Sequence, residues 1–387
     1  MHFAFYVFFV VLCLFKFSVA QEYCERDSSD DSCATKERSE SLYGAHGQRK
    51  YLLYEVNVGE GFNLRRDVYL RMAILIQSLG EEWTLVLPPF GPLYHWKSNR
   101  FQKSKLKWKL FFDIESMNRT INVIEFDDYL AQKGNKLDIV IGLKHFDDFD
   151  DRFVEKYEVE QCDENKSYYK VNDDEVRGWF WSYFDDVTSR KLLCLKIEGF
   201  TTTLKKFLLK ELKDLESIVV QNAEVVLHKN YGDSIYWSFR RSMRFNKELI
   251  AIGDEFRELN LNSNDYIDNT EMTENWMEMK RNHGDAIGGH YLAIHLRRED
   301  FAKSRPKDVP SLNCATEQIV YFARKFDFEK VFIATDASNE EWDELEHSLF
   351  ESGLQVFRFY NDALLDGQIA IVDQWICAHA KLFIGVL

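Results

Sequence analysis

The sequence predicts an α/β protein with two layered units, and three observations carry that expectation. The chain has 387 residues and is 45% hydrophobic, which is enough for two cores and far from the composition of a disordered chain. Between Tyr51 and Leu79 a strand-like run, a turn with Gly59 and Gly61, and a helically spaced run follow one another, and this is the start of a βα rhythm. A second rhythm of the same kind begins near Gly288.

Taken in order, residues 1–20 stand apart. An apolar run from Phe3 to Phe15 is broken by Lys16, with Ser18 and Ala20 at the small positions of a cleavage site; this reads as a signal peptide cut after Ala20. The alternative, a single-pass anchor, needs an unbroken apolar run of roughly 20 residues, longer than this one. After cleavage no membrane span remains. Residues 21–45 are acidic and serine-rich and form a loose lead. Residues 46–260 are read as the first domain with a helical connection, and residues 261–387 as the second.

Seven cysteines fall to an even number once Cys13 leaves with the leader, which suits disulfides in a secreted chain. Cys162 with Cys194, and Cys24 with Cys33, are the pairings to try first; spacing leaves connectivity open, that of Cys314 and Cys377 included. No C-x-x-C is present, so neither a structural zinc site nor a thioredoxin-type centre is supported. Asn118-Arg-Thr120 and Asn165-Lys-Ser167 are glycosylation acceptors. The formal net charge is −15, and loss of Lys16 makes it more negative still; such a field argues against nucleic acid.

Tyr51–Val56, Thr84–Pro88, Asn122–Phe126 and Asp138–Gly142 are the strand candidates of the first unit. Pro88-Pro89 ends the second of them, because proline can neither donate to a ladder nor continue a helix. In the turn after the first strand, glycines let a ligand approach the main chain, and the following helix start favours an anion. Glu60 lies between those glycines. It would repel a phosphate unless aimed at a hydroxyl that must lose a proton; the plainer reading is an acid favoured by the helix dipole. Asp148-Phe149-Asp150 has a spacing that could hold a divalent cation, but in a chain with 64 acids it reads as a solvated loop. Trp179-Phe-Trp-Ser-Tyr183 reads as a core or interdomain wedge, and helical patterns fill much of Thr203–Leu259.

In the second rhythm, alternation along Tyr291–Asp300 puts Leu292, Ile294 and Leu296 on one face and Ala293, His295 and Arg297 on the other. A His and an Arg near the carboxyl end break the apolar pattern of a doubly covered strand, at the end where such sheets bind ligands. Arg offers a planar fork for phosphate oxygens. The bland alternative ends the strand at Ile294 and solvates both. Lys330–Asp336 and Leu354–Phe359 are further strands, with Asp336 a helix cap or a ligand contact. Gln368–Ala380 reads as a helix carrying Asp373, and Leu382 starts one more strand. The chain stops soon after it, which implies a second domain truncated at its C-terminus.

Gly59-Glu-Gly-Phe-Asn-Leu-Arg-Arg-Asp67, Arg177-Gly-Trp-Phe-Trp181, His295-Leu-Arg-Arg298 and Asp373-Gln-Trp-Ile-Cys-Ala-His-Ala380 together resemble the protein O-fucosyltransferases, most closely the type that modifies thrombospondin type 1 repeats. The resemblance runs from about Tyr51 to Gly385. It implies an inverting glycosyltransferase of GT-B architecture, two Rossmann-like domains, with GDP-fucose as donor, no required metal and no other cofactor. It further implies a monomer in the endoplasmic reticulum lumen, with the Golgi as the alternative, and folded thrombospondin repeats as protein partner. By position, Glu60 resembles the general base, and Gly59, Gly61, Phe62 and Asn63 resemble loop contacts to the nucleotide sugar. His295, Leu296 and Arg297 resemble the diphosphate site, with Arg297 stabilising the leaving GDP, and Asp373 resembles a nucleotide contact. Relatives of this kind continue past Phe383-Ile-Gly385 into a nucleotide-contacting turn, so a non-catalytic luminal binder of thrombospondin repeats is the competing expectation. An NAD-dependent oxidoreductase is set aside, since Leu64 stands where the third glycine of that fingerprint belongs.

Overall fold

The computed structural model describes residues 49–385 apart from 58–59, 91–92, 94–95, 97–104, 147–152, 163–167, 173–174, 179–186, 281 and 283. They form two compact units that part between Arg244 and Phe245. The sequence reading drew this line after residue 260, one helix further on. Helix Lys247–Leu261 makes its contacts in the second unit: Trp375 Nε1 donates to Asp254 at 2.7 Å, and a Cβ on Gly253 would lie 2.6 Å from Trp375 Cδ1.

The first unit comprises β1 (Lys50–Tyr54), α1 (Phe62–Leu79), β2 (Trp83–Leu87), α2 (Ile114–Asn118), β3 (Val123–Glu125), α3 (Phe126–Lys133), β4 (Lys136–Lys144), β5 (Lys156–Glu160), β6 (Tyr168–Asn172), β7 (Glu175–Gly178), β8 (Thr188–Glu198), α4 (Thr201–Glu211), β9 (Ser217–Gln221) and α5 (Ser234–Ser242). The sheet runs β3-β2-β1-β9-β4-β8-β7-β6, with β5 also paired to β8. It is parallel from β3 to β8 and antiparallel where β5, β6 and β7 join. Leu52, Leu53 and Tyr54 of β1 and Leu85, Val86 and Leu87 of β2 are fully buried, as a parallel sheet covered on both faces requires. Strand β2 stops at Leu87, and Pro88 turns its carbonyl to Trp108, whose Nε1 donates to it at 2.6 Å. Because β2 follows β1 on one side and β9 flanks it on the other, the carboxyl end of β1 is a topological switch point.

The second unit comprises α6 (Lys247–Leu261), α7 (Asp265–Asp268), β10 (Gly289–Leu296), α8 (Glu299–Ser304), α9 (Leu312–Phe326), β11 (Lys330–Thr335), α10 (Asn339–Glu351), β12 (Gln355–Phe357), α11 (Asp366–Ala378) and β13 (Ala380–Gly385). Its sheet is parallel throughout, in the order β12-β11-β10-β13, so β10 occupies the switch point here. Leu292, Ile294 and Leu296 join Val331, Ile333, Ile319 and Leu345 in one apolar cluster, the face that alternation assigned to them. Beneath α6, the fully buried Arg257 donates to Asp254 and Asp265 at 2.8 Å each and to Asp268 at 3.1 Å. A guanidinium this deep is stable only because its fork is filled by carboxylates.

Among the described residues no helix is long and apolar enough to cross a membrane. Strands β5 to β8 did not stand out in the sequence, and β9 lies in a region read as helical. The Asp148–Asp150 spacing and the Trp179–Tyr183 aromatics lie outside the described residues.

Candidate active site

In the first unit the site is built on the end of β1. The Glu60 N–H donates to the Asn57 carbonyl at 2.9 Å, closing a turn, and the Glu60 carbonyl accepts from Arg65 Nε at 3.1 Å. Helix α1 then starts with Gly61 as its N-cap in extended conformation, and no side chain caps it. The Glu60 carboxylate is half-buried, and among the described residues it accepts no hydrogen bond and joins no ion pair. It is therefore not a helix-capping acid. Phe62 anchors the helix start: its ring stacks on Phe112 at 5.8 Å, with Phe90 at 5.5 Å and Trp96 at 6.1 Å, and Arg66 lies over it at 5.7 Å. Burial, with the nearby charge of Arg240, lowers the Arg66 guanidinium to about 9. Asn63 is exposed and Gly61 half-buried, while Gly59 lies outside the described residues.

A second tier lies one helical turn further on. Arg71 holds Asp67 through Nε at 2.9 Å and donates through Nη1 to the carbonyls of Glu224 at 2.9 Å and Val226 at 2.8 Å. His228 Nε2 is 2.8 Å from the other Asp67 oxygen. Burial pushes the Asp67 carboxyl up, but His228 and Arg71 outweigh it and hold the group below its ordinary value. Sequence reasoning missed Arg71, Glu224 and His228. Their partners lie about 150 residues away in the chain, beyond the reach of any local pattern.

In the second unit the site is built on the end of β10. The strand runs through His295 to Leu296 rather than ending at Ile294. His295 is exposed between Ala334 of β11 and Gly385 of β13; desolvation of its ring lowers its pKa, opposed by Asp336 and reinforced by Arg297. The Leu296 side chain belongs to the core, and its carbonyl accepts from the Thr335 hydroxyl at 2.6 Å. Arg297 is half-buried, lies over the Phe301 ring at 4.3 Å, and meets Asp300 through Nη2 at 3.0 and 3.2 Å. Its neighbour Arg298 turns to Glu341 and the Pro310 carbonyl and is structural. Asp336 is not a helix cap: Ser338 caps α10, and Asp336 accepts the Arg298 N–H at 2.5 Å. Asp373, on α11, has one carboxyl oxygen sealed from solvent with no hydrogen-bond partner among the described residues. Burial pushes that carboxyl up to about 8 against a pull from Arg358.

The profile of the family described as GDP-fucose protein O-fucosyltransferase matches residues 51–386. This chain belongs to that family. Among its relatives, a "GDP-fucose protein O-fucosyltransferase 2" from Caenorhabditis elegans is 43% identical over 366 residues, covering 92% of this chain and 85% of the relative. One of the same name from Homo sapiens is 41% identical over 354 residues, covering 89% and 81%. A crystal structure of POFUT1 in complex with GDP-fucose superposes with a TM-score of 0.55 over 88% of this chain and 92% of its own, at 14% identity. That likeness establishes the GT-B-like fold. As a member of the O-fucosyltransferase family the chain is a glycosyltransferase, and the donor carried in the family's name is GDP-fucose.

Glu60, Gly61, Phe62 and Asn63 thus stand at the switch point of one unit, and His295, Leu296 and Arg297 at that of the other, with Asp373 on a helix of the second. Cys162 and Cys194 are joined as a disulfide. Cys314 and Cys377 are free thiols, and burial pushes the Cys377 thiol well up. Asn118 is exposed at the end of α2, where its side-chain oxygen accepts the Val123 N–H at 2.8 Å. Asn165, Cys24 and Cys33 lie outside the described residues. No group of three His, Cys, Asp or Glu side chains that could hold a metal ion occurs among the described residues.

Proposed function

We propose that this O-fucosyltransferase family member transfers fucose from GDP-fucose, with inversion, to Ser or Thr hydroxyls of folded thrombospondin type 1 repeats in the endoplasmic reticulum lumen. The observation that carries the reading is the Glu60 carboxylate, held by its backbone at a switch point and, among the described residues, spent on no hydrogen bond of its own. An alcohol is a poor nucleophile until a base takes its proton as the new bond forms. In this reading Glu60 takes that proton, the hydroxyl oxygen bonds to the anomeric carbon, and the bond from that carbon to the GDP oxygen breaks. Negative charge then grows on the diphosphate, where Arg297 supplies a planar cationic fork and His295 a second polar group. Gly61, Phe62 and Asn63 are read as contacts to the donor, as is Gly59 by its place in the motif, and the Asp373 oxygen that has no partner among the described residues suits an N–H or O–H of the nucleoside. A protein acceptor is supported by the names of the relatives, the repeat as that acceptor by the resemblance of the four motifs, and the luminal address by the leader-like residues 1–20 and the Cys162–Cys194 bond.

The test is a transfer assay with GDP-fucose and one repeat, folded or reduced. The folded repeat should be modified and the reduced one left untouched, because a fixed hydroxyl is what makes the geometry productive. Glu60→Gln should lose at least about a hundredfold in kcat with GDP affinity retained. Arg297→Ala should weaken GDP binding, read by calorimetric titration, about tenfold or more. A folded repeat that stays unmodified at saturating donor sinks the proposal.

A further inference from the structure

The turn that carries Glu60 is braced by the chain leaving β9, the strand next to β1. Past the end of β1, the Glu55 carbonyl accepts the Ala223 N–H at 2.9 Å, and Gln221 Nε2 donates to the Glu55 carboxylate at 2.8 Å. The chain leaving β9 therefore runs alongside the chain leaving β1. There it forms a short 3-10 turn, Ala223–Val225. Arg71 fastens this turn to α1 by donating to the carbonyls of Glu224 and Val226. From this fixed turn the half-buried Glu224 side chain reaches back, and its Oε2 accepts the Asn57 N–H at 3.4 Å. Asn57 is also the residue whose carbonyl holds the Glu60 N–H at 2.9 Å. An unbroken path thus leads from Arg71 through Glu224 and Asn57 to Glu60.

We propose that Glu224 is a positioning residue for the reaction: its carboxylate fixes the Asn57 end of the turn so that the Glu60 carboxylate meets the acceptor hydroxyl in one geometry. The two acids are near enough to feel one another. Burial pushes the Glu224 carboxyl up, its own N–H and that of Asn57 pull it down, and the Glu60 charge adds to the upward push. A base misplaced by about 1 Å can lose about a hundredfold in rate, so a strut of this kind acts on turnover rather than on donor binding.

This inference rests on the reading of Glu60 given above, and its test separates the two. Glu224→Gln keeps an oxygen at the same reach, whereas Glu224→Ala removes it. In the full chain, amide hydrogen exchange at Asn57 and Glu60 should speed up about tenfold in Glu224→Ala, with exchange at Leu52 and Leu53 unchanged, and should stay near wild type in Glu224→Gln. With GDP-fucose and a folded repeat, Glu224→Ala should lose about 10- to 100-fold in kcat, at acceptor KM and GDP Kd within about twofold of wild type, while Glu224→Gln loses less than about threefold. Glu224→Ala with wild-type exchange or wild-type kcat overturns the inference, as does a Gln variant as impaired as the Ala variant. If the unaltered chain transfers nothing, the functional reading fails, and the exchange measurement alone decides whether Glu224 holds the turn.

Discussion

Glu60 stands just ahead of a helix whose N-cap, Gly61, has no side-chain cap, and among the described residues its carboxylate caps nothing. An acid in that place usually satisfies helix N–H groups or complements the dipole, so a carboxylate left out of the local hydrogen bonding is the kind of exception that marks a site. The sequence singles it out because the residue type is odd for a plain phosphate loop, just as His295 and Arg297 are odd for a doubly covered strand, although the plainer reading of Glu60 there is a dipole-favoured acid. Arg71, Glu224 and His228 gave no such signal, since each is an ordinary polar residue in its own neighbourhood. Asp373 belongs to the same scale. Its carboxyl, raised by burial to about 8, keeps its proton in the folded state up to that pH, whereas in the unfolded chain it loses it near about pH 4. The folded state binds more protons over that window, so this group's contribution is fully present below about pH 4 and is lost as pH rises through about 8. Asp373→Asn should therefore match wild type in thermal midpoint at about pH 4 and exceed it increasingly up to about pH 8, above which the difference levels off. Melting curves that stay parallel across that range would mean that the folded carboxyl is already ionised.

At the scale of elements, what the sequence revealed followed the depth of burial. Strands β1, β2 and β11 are short apolar runs, and the middle of β10 reads the same way, because parallel strands covered on both faces have no room for polar side chains. Strand β9, Ser217–Gln221, is equally buried. It was hidden because its apolar run is brief and lies between segments of helical period, where a short run fits strand and helix alike. Strand β5, Lys156-Tyr-Glu-Val-Glu160, alternates charges on a partly exposed edge and gives hardly any apolar signal. The domain limit was misplaced for a related reason. Helix α6 has a helical period whichever unit it packs on, and its contacts through Gly253, Asp254, Phe256 and Arg257 disclose its partner. Arg257→Ala should show how much that partnership matters. Leaving Asp254, Asp265 and Asp268 without their cation should cost about 3–5 kcal/mol, read as a lower urea midpoint for the second unit at unchanged slope.

At the scale of the whole molecule, two units with separate sheets should unfold as two events. Calorimetry should resolve two transitions, and GDP should raise the one that belongs to the second unit, by about 2.7 kcal/mol at a hundredfold excess over its Kd. If a single transition moves as one, the units do not unfold independently. The proposal that Arg297, His295 and Asp373 receive the nucleotide requires that the transition of the first unit not be the only one to move.

The Cys162–Cys194 bond has a consequence for handling the protein. Residue 194 lies in β8 opposite Glu160, the last residue of β5, so the bond, two residues further on, pins the end of that antiparallel strand against the parallel sheet. In a host that keeps thiols reduced, nothing covalent would hold β5 there. Unpaired strand edges invite a second chain, and the two thiols would be available to make that encounter permanent. Material from such a host should accumulate covalent oligomers on exposure to air, and their appearance on a non-reducing gel would be the earliest sign that the Cys162–Cys194 bond had not formed.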